Sequence, residues 1–338
     1  MPLVLHVDSD RWRDHLRATW NPDIVPVAKG NGYGFGNHRL FAESRALGAK
    51  TIAVGTYFEV PATELNSSGR EDVVVLSPWR PFLEMPKSQN VIHTVSRLAD
   101  LVSIPAGSRV LIEVMTSMRR HGIGARELRH TMLLNALDRI RFEGWSLHFP
   151  MGAGGTSANL REAQQLAKAA LDVRKSTLWV SHVPAQKLAD IGENVKLRMG
   201  TALWLGDRGA LSVKATVLDV HSVRRGERVG YRQRRVTGDG HILVVSGGTA
   251  NGVGLEAPTA AATVRQRAIA MAKGGLDAAG MALSPFSIEG KQRWFAEPPH
   301  MQASMLFLPA TVAPPAVGDE VDLDVRHTTT TFDKVSMD

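Results

Sequence analysis

The sequence has 338 residues, 43% of them hydrophobic and none of them cysteine, which is enough chain for one large core and a smaller second one and excludes disulfides, thiolate metal sites and a cysteine nucleophile. The net charge of +7, from 40 Lys+Arg against 33 Asp+Glu, is spread along the chain; its densest run, Arg224, Arg225, Arg228, Arg232, Arg234 and Arg235, lacks the repeated aromatic residues that stack bases, so no nucleic-acid partner is expected. No stretch approaches the roughly 20 unbroken apolar residues of a membrane span, and the start Met-Pro-Leu-Val-Leu-His-Val-Asp lacks the charged and apolar regions of a signal peptide, which predicts a cytoplasmic protein with no membrane partner.

Along the first two thirds, short β-branched apolar runs alternate with breaks and helix-like segments. The runs are Ile24–Ala28, Thr51–Gly55, Val73–Leu76, Val91–Val95, Val110–Val114, Trp145–Phe149, Thr177–Ser181 and Val195–Met199, with helical patterns such as Leu40–Leu47 and Leu160–Val173 between them. Eight βα units over this length predict an α/β fold with a closed (β/α)8 TIM barrel over residues 8–206. An open doubly wound sheet is the alternative, but the first βα turn, Lys29-Gly-Asn-Gly-Tyr-Gly-Phe-Gly36, spaces its glycines in alternation and not as a dinucleotide fingerprint. After Gly206 the pattern changes to short strands at Val213–Val220, Ile242–Val245, Met305–Leu308 and Val321–Val325. Residues 207–338 therefore form a smaller β-rich domain, which residues 1–7 are candidates to join. Asp239-Gly240 reads as a hairpin turn and Val317-Gly318-Asp319-Glu320 as another, while Ala260–Ala272 suits either a helix or a loop with a helical turn.

In a barrel of this kind, functional side chains stand at the C-terminal ends of the strands. Lys29, His148, His182 and Arg198 occupy such ends. A lysine closing a buried strand loses solvation, which lowers its pKa from about 10.4 and frees its amine to condense with an aldehyde.

The segment Val25-Pro-Val-Ala-Lys29-Gly-Asn-Gly-Tyr33-Gly-Phe-Gly36 resembles the cofactor-lysine motif of the alanine racemase family, whose members are fold type III enzymes dependent on pyridoxal 5'-phosphate (PLP). Further segments are similar in the same order. Thr116-Ser-Met-Arg-Arg120-His-Gly122 resembles the one whose arginine approaches the cofactor's ring oxygen, and Glu143-Gly-Trp-Ser-Leu-His148-Phe149 the one whose histidine lies against the ring. Leu197-Arg198-Met-Gly200-Thr201 is similar to the segment whose arginine faces the pyridine nitrogen and whose following backbone N–H groups hold the phosphate. Arg225-Gly226-Glu-Arg-Val-Gly230-Tyr231 resembles the second-domain stretch carrying the catalytic tyrosine.

The resemblance implies a racemase, with alanine as the expected substrate, that works as a homodimer with shared sites. Lys29 serves one face of Cα and Tyr231 of the partner subunit the other. Lys29, Tyr33, Arg120, His148, Arg198, Gly200 and Thr201 hold the cofactor, Arg120 and Met301 contact the amino acid, and no metal is called for. His148 and His182 remain alternative members of a proton relay. The departures lie on the substrate side: Thr249 in Gly248-Thr249-Ala250-Asn251-Gly252 replaces a tyrosine, His300-Met301-Gln302 replaces Cys-Met-Asp, Phe332 stands for a phosphate-contacting tyrosine, and Arg232 for the glycine after the catalytic tyrosine. Glu113 stands for a carbamylated lysine that orients the arginine. Two other readings stay open: a PLP decarboxylase, which the lack of cysteine disfavours, and a PLP-binding homologue with another substrate or little activity.

Overall fold

The computed structural model describes residues 2–61, 71–86, 88–151, 155–255 and 282–338. The chain forms two compact units, one made of residues 14–206 and the other of residues up to Arg13 together with Asp207–Asp338. Helix α1 (Ser9–Thr19) is divided between them. No described helix is long and apolar enough to cross a membrane.

The first unit is a parallel barrel. Its eight strands are β2 (Ile24–Pro26), β3 (Thr51–Val54), β4 (Asp72–Val75), β5 (Val91–Val95), β6 (Arg109–Val114), β7 (Arg141–His148), β8 (Leu178–Ser181) and β9 (Val195–Met199), hydrogen-bonded in the order β2-β9-β8-β7-β6-β5-β4-β3. A bridge between Val27 and Ala53, with the Ala28 N–H donating to the Ala53 carbonyl at 2.8 Å, joins β2 to β3 and closes the ring. All eight predicted runs are strands of this barrel, and the alternative of an open sheet is set aside by that bridge. Period-two alternation explains the composition of the runs. Val25, Val27, Ala53, Val74, Ile92 and Leu111 pack with Trp179 inside the ring. The alternate residues, such as Val95, Ile112, Leu147 and Val180, pack outward against the surrounding helices. Helix α5 (Gly155–Leu171) meets them with Ala163, Ala167 and Ala170, all buried and all on one helical face.

The second unit is antiparallel. Strands β10 (Leu211–Val223), β13 (Gly240–Ser246), β14 (Leu283–Ile288), β15 (Lys291–Phe295), β16 (Ala303–Pro309) and β17 (Glu320–Leu323) pair in the order β13-β16-β15-β14-β17-β10, and β10 also pairs with β13, so these strands form a closed ring. The register shift between Val217 and Asp219 bends β10, letting its two halves serve different neighbours. Strand β1 (Leu3–Val7) adds to β10, and β18 (Lys334–Met337) to β1. The two-stranded hairpin β11 (Arg228–Val229) with β12 (Arg234–Arg235) stands apart from this sheet.

Asp239-Gly240 is not a hairpin turn. Gly240 is already a strand residue, paired with Val223 on one side and Pro309 on the other, and Asp239 is the bend leading into it. The chain reverses earlier, in the β11–β12 hairpin. Gly318, with φ +97°, forms the predicted turn before β17. Ala260–Ala272 lies outside the described residues.

Candidate active site

At the C-terminal end of the barrel the inward positions turn from apolar to ionisable. Leu111 is followed two residues on by Glu113, Val27 by Lys29, and β9 places Arg198 on the same inner side. Arg198 and Glu113 are both buried. The Arg198 guanidinium donates to Ser146 Oγ at 3.0 Å and to the Leu147 carbonyl at 2.9 Å, which fixes its plane across the end of β7. Burial lowers the Arg198 pKa to about 10, opposed by the charge of Glu113, so the group keeps its proton at neutral pH. Burial raises the Glu113 carboxyl, and Arg198, then Arg120 and Arg80, pull it back. Glu113 thus answers Arg198 more strongly than Arg120. Among the described residues, Arg198 Nε and Glu113 Oε2 are buried with no hydrogen-bond partner.

Lys29 reaches solvent at this end, yet the surrounding protein depresses its amine below the usual lysine range. Desolvation is the largest cause, followed by the positive charges of Arg120 and Arg198, with Glu59 acting in the opposite sense. Glu59 sits between the ends of β2 and β3, accepting the backbone N–H groups of Gly30 at 3.0 Å, Gly55 at 2.7 Å and Thr56 at 3.3 Å. Tyr33, in the left-handed region at φ 57°, is buried, and burial with the Glu59 charge pushes its hydroxyl up to about 12, so it acts as a donor at any working pH. That hydroxyl lies against Gly200, where a Cβ would come within 2.0 Å of it. Gly200 opens the short helix α6 (Thr201–Trp204), which Trp204 ties to the end of β2 by donating its indole N–H to the Val27 carbonyl at 2.8 Å.

The two histidines share this end. His148 Nδ1 lies 2.8 Å from Ser181 Oγ, and the His148 and His182 rings meet edge to face at 5.3 Å. Burial, then Arg198 and Arg120, pushes His148 down to about 3. Burial and Arg198 also lower His182, so burial first, and then the surrounding cations, keep these rings neutral. Thr116 donates its hydroxyl to the His148 carbonyl at 2.6 Å and anchors the loop on which Arg120 stands exposed.

In the second unit, Tyr231 is 85% exposed on the hairpin β11–β12. With Arg232, Thr249, His300, Met301 and Gln302 it lines a cavity of about 580 Å³. The structure therefore gathers the expected residues into two groups. Lys29, Tyr33, Arg120, His148, Arg198, Gly200 and Thr201 belong to the barrel unit, whereas Tyr231 and Met301 belong to the other. Phe332 is not among the cavity's described lining residues and packs instead with its ring 5.8 Å from that of His327. Sequence reading passed over Glu59, Ser146, Ser181 and Glu297. Inward alternation on β7 and β8 was the available signal for the two serines.

Residues 9–204, more than half of the chain, match the family model of the alanine racemase N-terminal domain. The chain belongs to the alanine racemase family. Solved alanine racemases share its fold along nearly its whole length. The enzyme from E. faecalis is 20% identical with a TM-score of 0.68, covering 95% of this chain and 88% of its own. That from Bartonella henselae, with covalently bound pyridoxal phosphate, is 16% identical with a TM-score of 0.70 and covers 97% and 91%. That from Bacillus anthracis, with bound L-Ala-P, is 18% identical with a TM-score of 0.70 and covers 95% and 85%. A search of curated protein sequences gives no match. At these identities the likeness to solved alanine racemases concerns the fold, and the chemistry must be argued from the residues.

Proposed function

We propose that this protein is a PLP-dependent amino-acid racemase of the cytoplasm that interconverts L- and D-alanine. The observation that carries the reading is the barrel-end lysine, its amine depressed by burial and by Arg120 and Arg198, among histidines held neutral by burial and the same cations. The residues fit an anionic aromatic aldehyde. Positive charge exceeds negative at this end, Arg198 Nε is buried with a donor to spare, and the Tyr33 hydroxyl meets the Gly200 backbone beside the first N–H groups of α6. PLP, when bound, supplies the electron sink that acidifies the Cα–H of an amino acid.

Lys29 holds the cofactor and carries the Cα proton on one face. Tyr33, Gly200 and Thr201 would hold the phosphate of PLP, Arg120 and His148 would contact its ring, and Arg198 would face the ring nitrogen. A guanidinium that keeps its proton withholds it from that nitrogen, which restrains electron delocalisation and favours return of a proton to Cα over loss of CO2. Two bases on opposite faces are required, and Tyr231 of the partner subunit is assigned the second, in a homodimer with shared sites. Arg120 and Met301 contact the amino acid. The replacements Thr249, His300 and Gln302 favour one alternative, a homologue with another substrate or little activity.

The test is incubation of the PLP-loaded protein with L-alanine, then each other L-amino acid, in deuterated water. Exchange at Cα with appearance of the D-isomer is the expected result. Bound PLP with no exchange for any amino acid would overturn the racemase reading.

A further inference from the structure

Tyr231 poses a physical problem. A side chain 85% exposed on a two-stranded hairpin has little packing to hold its ring, yet a base must stand within hydrogen-bond reach of the proton it moves. Its neighbour supplies the constraint. The His300 ring lies 4.6 Å from the Tyr231 ring, centroid to centroid, at 48°. His300 is itself fixed on several sides. Its backbone N–H donates to the Ala303 carbonyl at 2.9 Å, and its carbonyl accepts the Thr249 N–H at 2.8 Å. Its Nε2 lies 2.6 Å from Glu297 Oε1.

Glu297 is buried, its side chain only 2% exposed. A carboxylate is costly to bury unless paired, and this pairing fixes the Nε2 proton toward Glu297 and the plane of the imidazole with it. The hairpin comes down directly on the carboxylate: a Cβ at Gly230, whose φ is +72°, would lie 2.1 Å from the Glu297 carboxyl. Only glycine lets the residue before Tyr231 approach so closely. Glu297, His300 and Tyr231 all line the same 580 Å³ cavity, so the stack faces space that a ligand can fill.

We infer that Glu297 and His300 are positioning residues for Tyr231: Glu297 locks the imidazole, and the imidazole holds the phenol ring in the orientation in which its hydroxyl exchanges a proton with the substrate. This rests on the racemase reading of Tyr231. It assigns a purpose to His300, which stands where the family's segment carries cysteine, and to Glu297, on which the sequence resemblance is silent.

The chain has only three tyrosines, and Tyr33 and Tyr57 both lie in the barrel unit, so ring-labelled tyrosine in the full-length, PLP-loaded protein gives a distinct NMR signal for Tyr231, assigned by its loss in Tyr231→Phe. In His300→Gln and in Glu297→Gln that signal should move while those of Tyr33 and Tyr57 stay. Cα exchange should fall about tenfold to a hundredfold at the one face that Tyr231→Phe suppresses. The other face and the absorbance of the linked cofactor should be unchanged. An unmoved Tyr231 signal, or a loss shared equally by both faces, overturns the positioning role. Should His300→Gln fail to fold, Glu297→Gln carries the test alone, since the isosteric amide fills the same buried site but lacks the charge that locks the imidazole. If instead Tyr231→Phe leaves exchange at both faces intact, the racemase assignment of Tyr231 has failed, and the NMR shifts then report the contact without that role.

Discussion

On the proposed function, the barrel end and the Tyr231 face each place a proton-handling group, and they do so by opposite means. In the barrel unit the groups are set into the strands, and burial shifts their proton affinity: Lys29, His148 and His182 are all held away from the charged form. In the second unit Tyr231 stands in solvent on a hairpin, and one buried carboxylate and one imidazole supply the order. The first arrangement tunes chemistry through desolvation and charge. The second tunes only where a side chain points, and leaves Tyr231 itself exposed. Damage to the barrel end should therefore cost cofactor and stability, whereas removing the exposed Tyr231 hydroxyl should cost neither.

The largest effect is expected from Lys29→Ala, which should abolish both the absorbance of covalently linked PLP and all Cα exchange; a retained band would place the linkage elsewhere. Next, Tyr231→Phe should keep that band and the melting temperature but slow exchange at one face by about 100- to 10,000-fold, as deuterium incorporation into each enantiomer would show. If the melting temperature falls as far as for a barrel-end variant, the contrast between the two regions breaks. Arg198→Met should destabilise the free protein by about 3 kcal/mol in urea titration, because the buried Glu113 carboxyl then loses the strongest of the cations that compensate it, and adding Glu113→Gln should recover part of the loss. An effect of similar size, spread over a pH range, concerns acid. Burial pushes His93 down to about 4, with its Nδ1 2.8 Å from the Tyr57 hydroxyl. Between that value and the roughly 6.5 of an unfolded histidine, the unfolded chain binds the extra proton, so stability falls as the pH drops through this window, by about 1.4 kcal/mol per pH unit for one such group. His93→Asn should flatten the fall in melting temperature between pH 6.5 and 4 by that single proton.

The same contrast explains what could be read from sequence. The eight barrel strands were legible because most are short apolar runs, many of them β-branched, buried on both faces, and Lys29 and Arg198 because alternation sets which strand-end residues face inward. The partners were not. Ser146 meets Arg198 across a sequence separation of 52, and Glu59 reaches back 29 residues to the Gly30 amide. Such meetings depend on barrel closure and on how each loop folds over its strand, which local pattern does not encode. Glu297 lies only three residues from His300, but a carboxylate in a loop with adjacent prolines reads as a solvated residue until the hairpin is seen to cover it. Asp239-Gly240 misled because the turn chemistry was right while the chain had already reversed in the hairpin before it.

The ring of barrel strands is fastened between its first and second members by the short bridge of Val27 with Ala53, immediately ahead of Lys29, and by the Glu59 carboxylate that accepts from Gly30 and Gly55. A joint made by so few hydrogen bonds is where such a ring should breathe, and the Ala28 amide, bonded across it to Ala53, is its natural reporter in hydrogen exchange. A ligand that orders Lys29 and the Tyr33 loop on the β2 side, next to the Gly30 amide that Glu59 grips from the β3 side, would resist that opening, since anything that binds only the closed ring favours it by mass action. Loading the lysine and latching the barrel then become a single equilibrium, in which the cofactor serves as a clasp as well as a reagent.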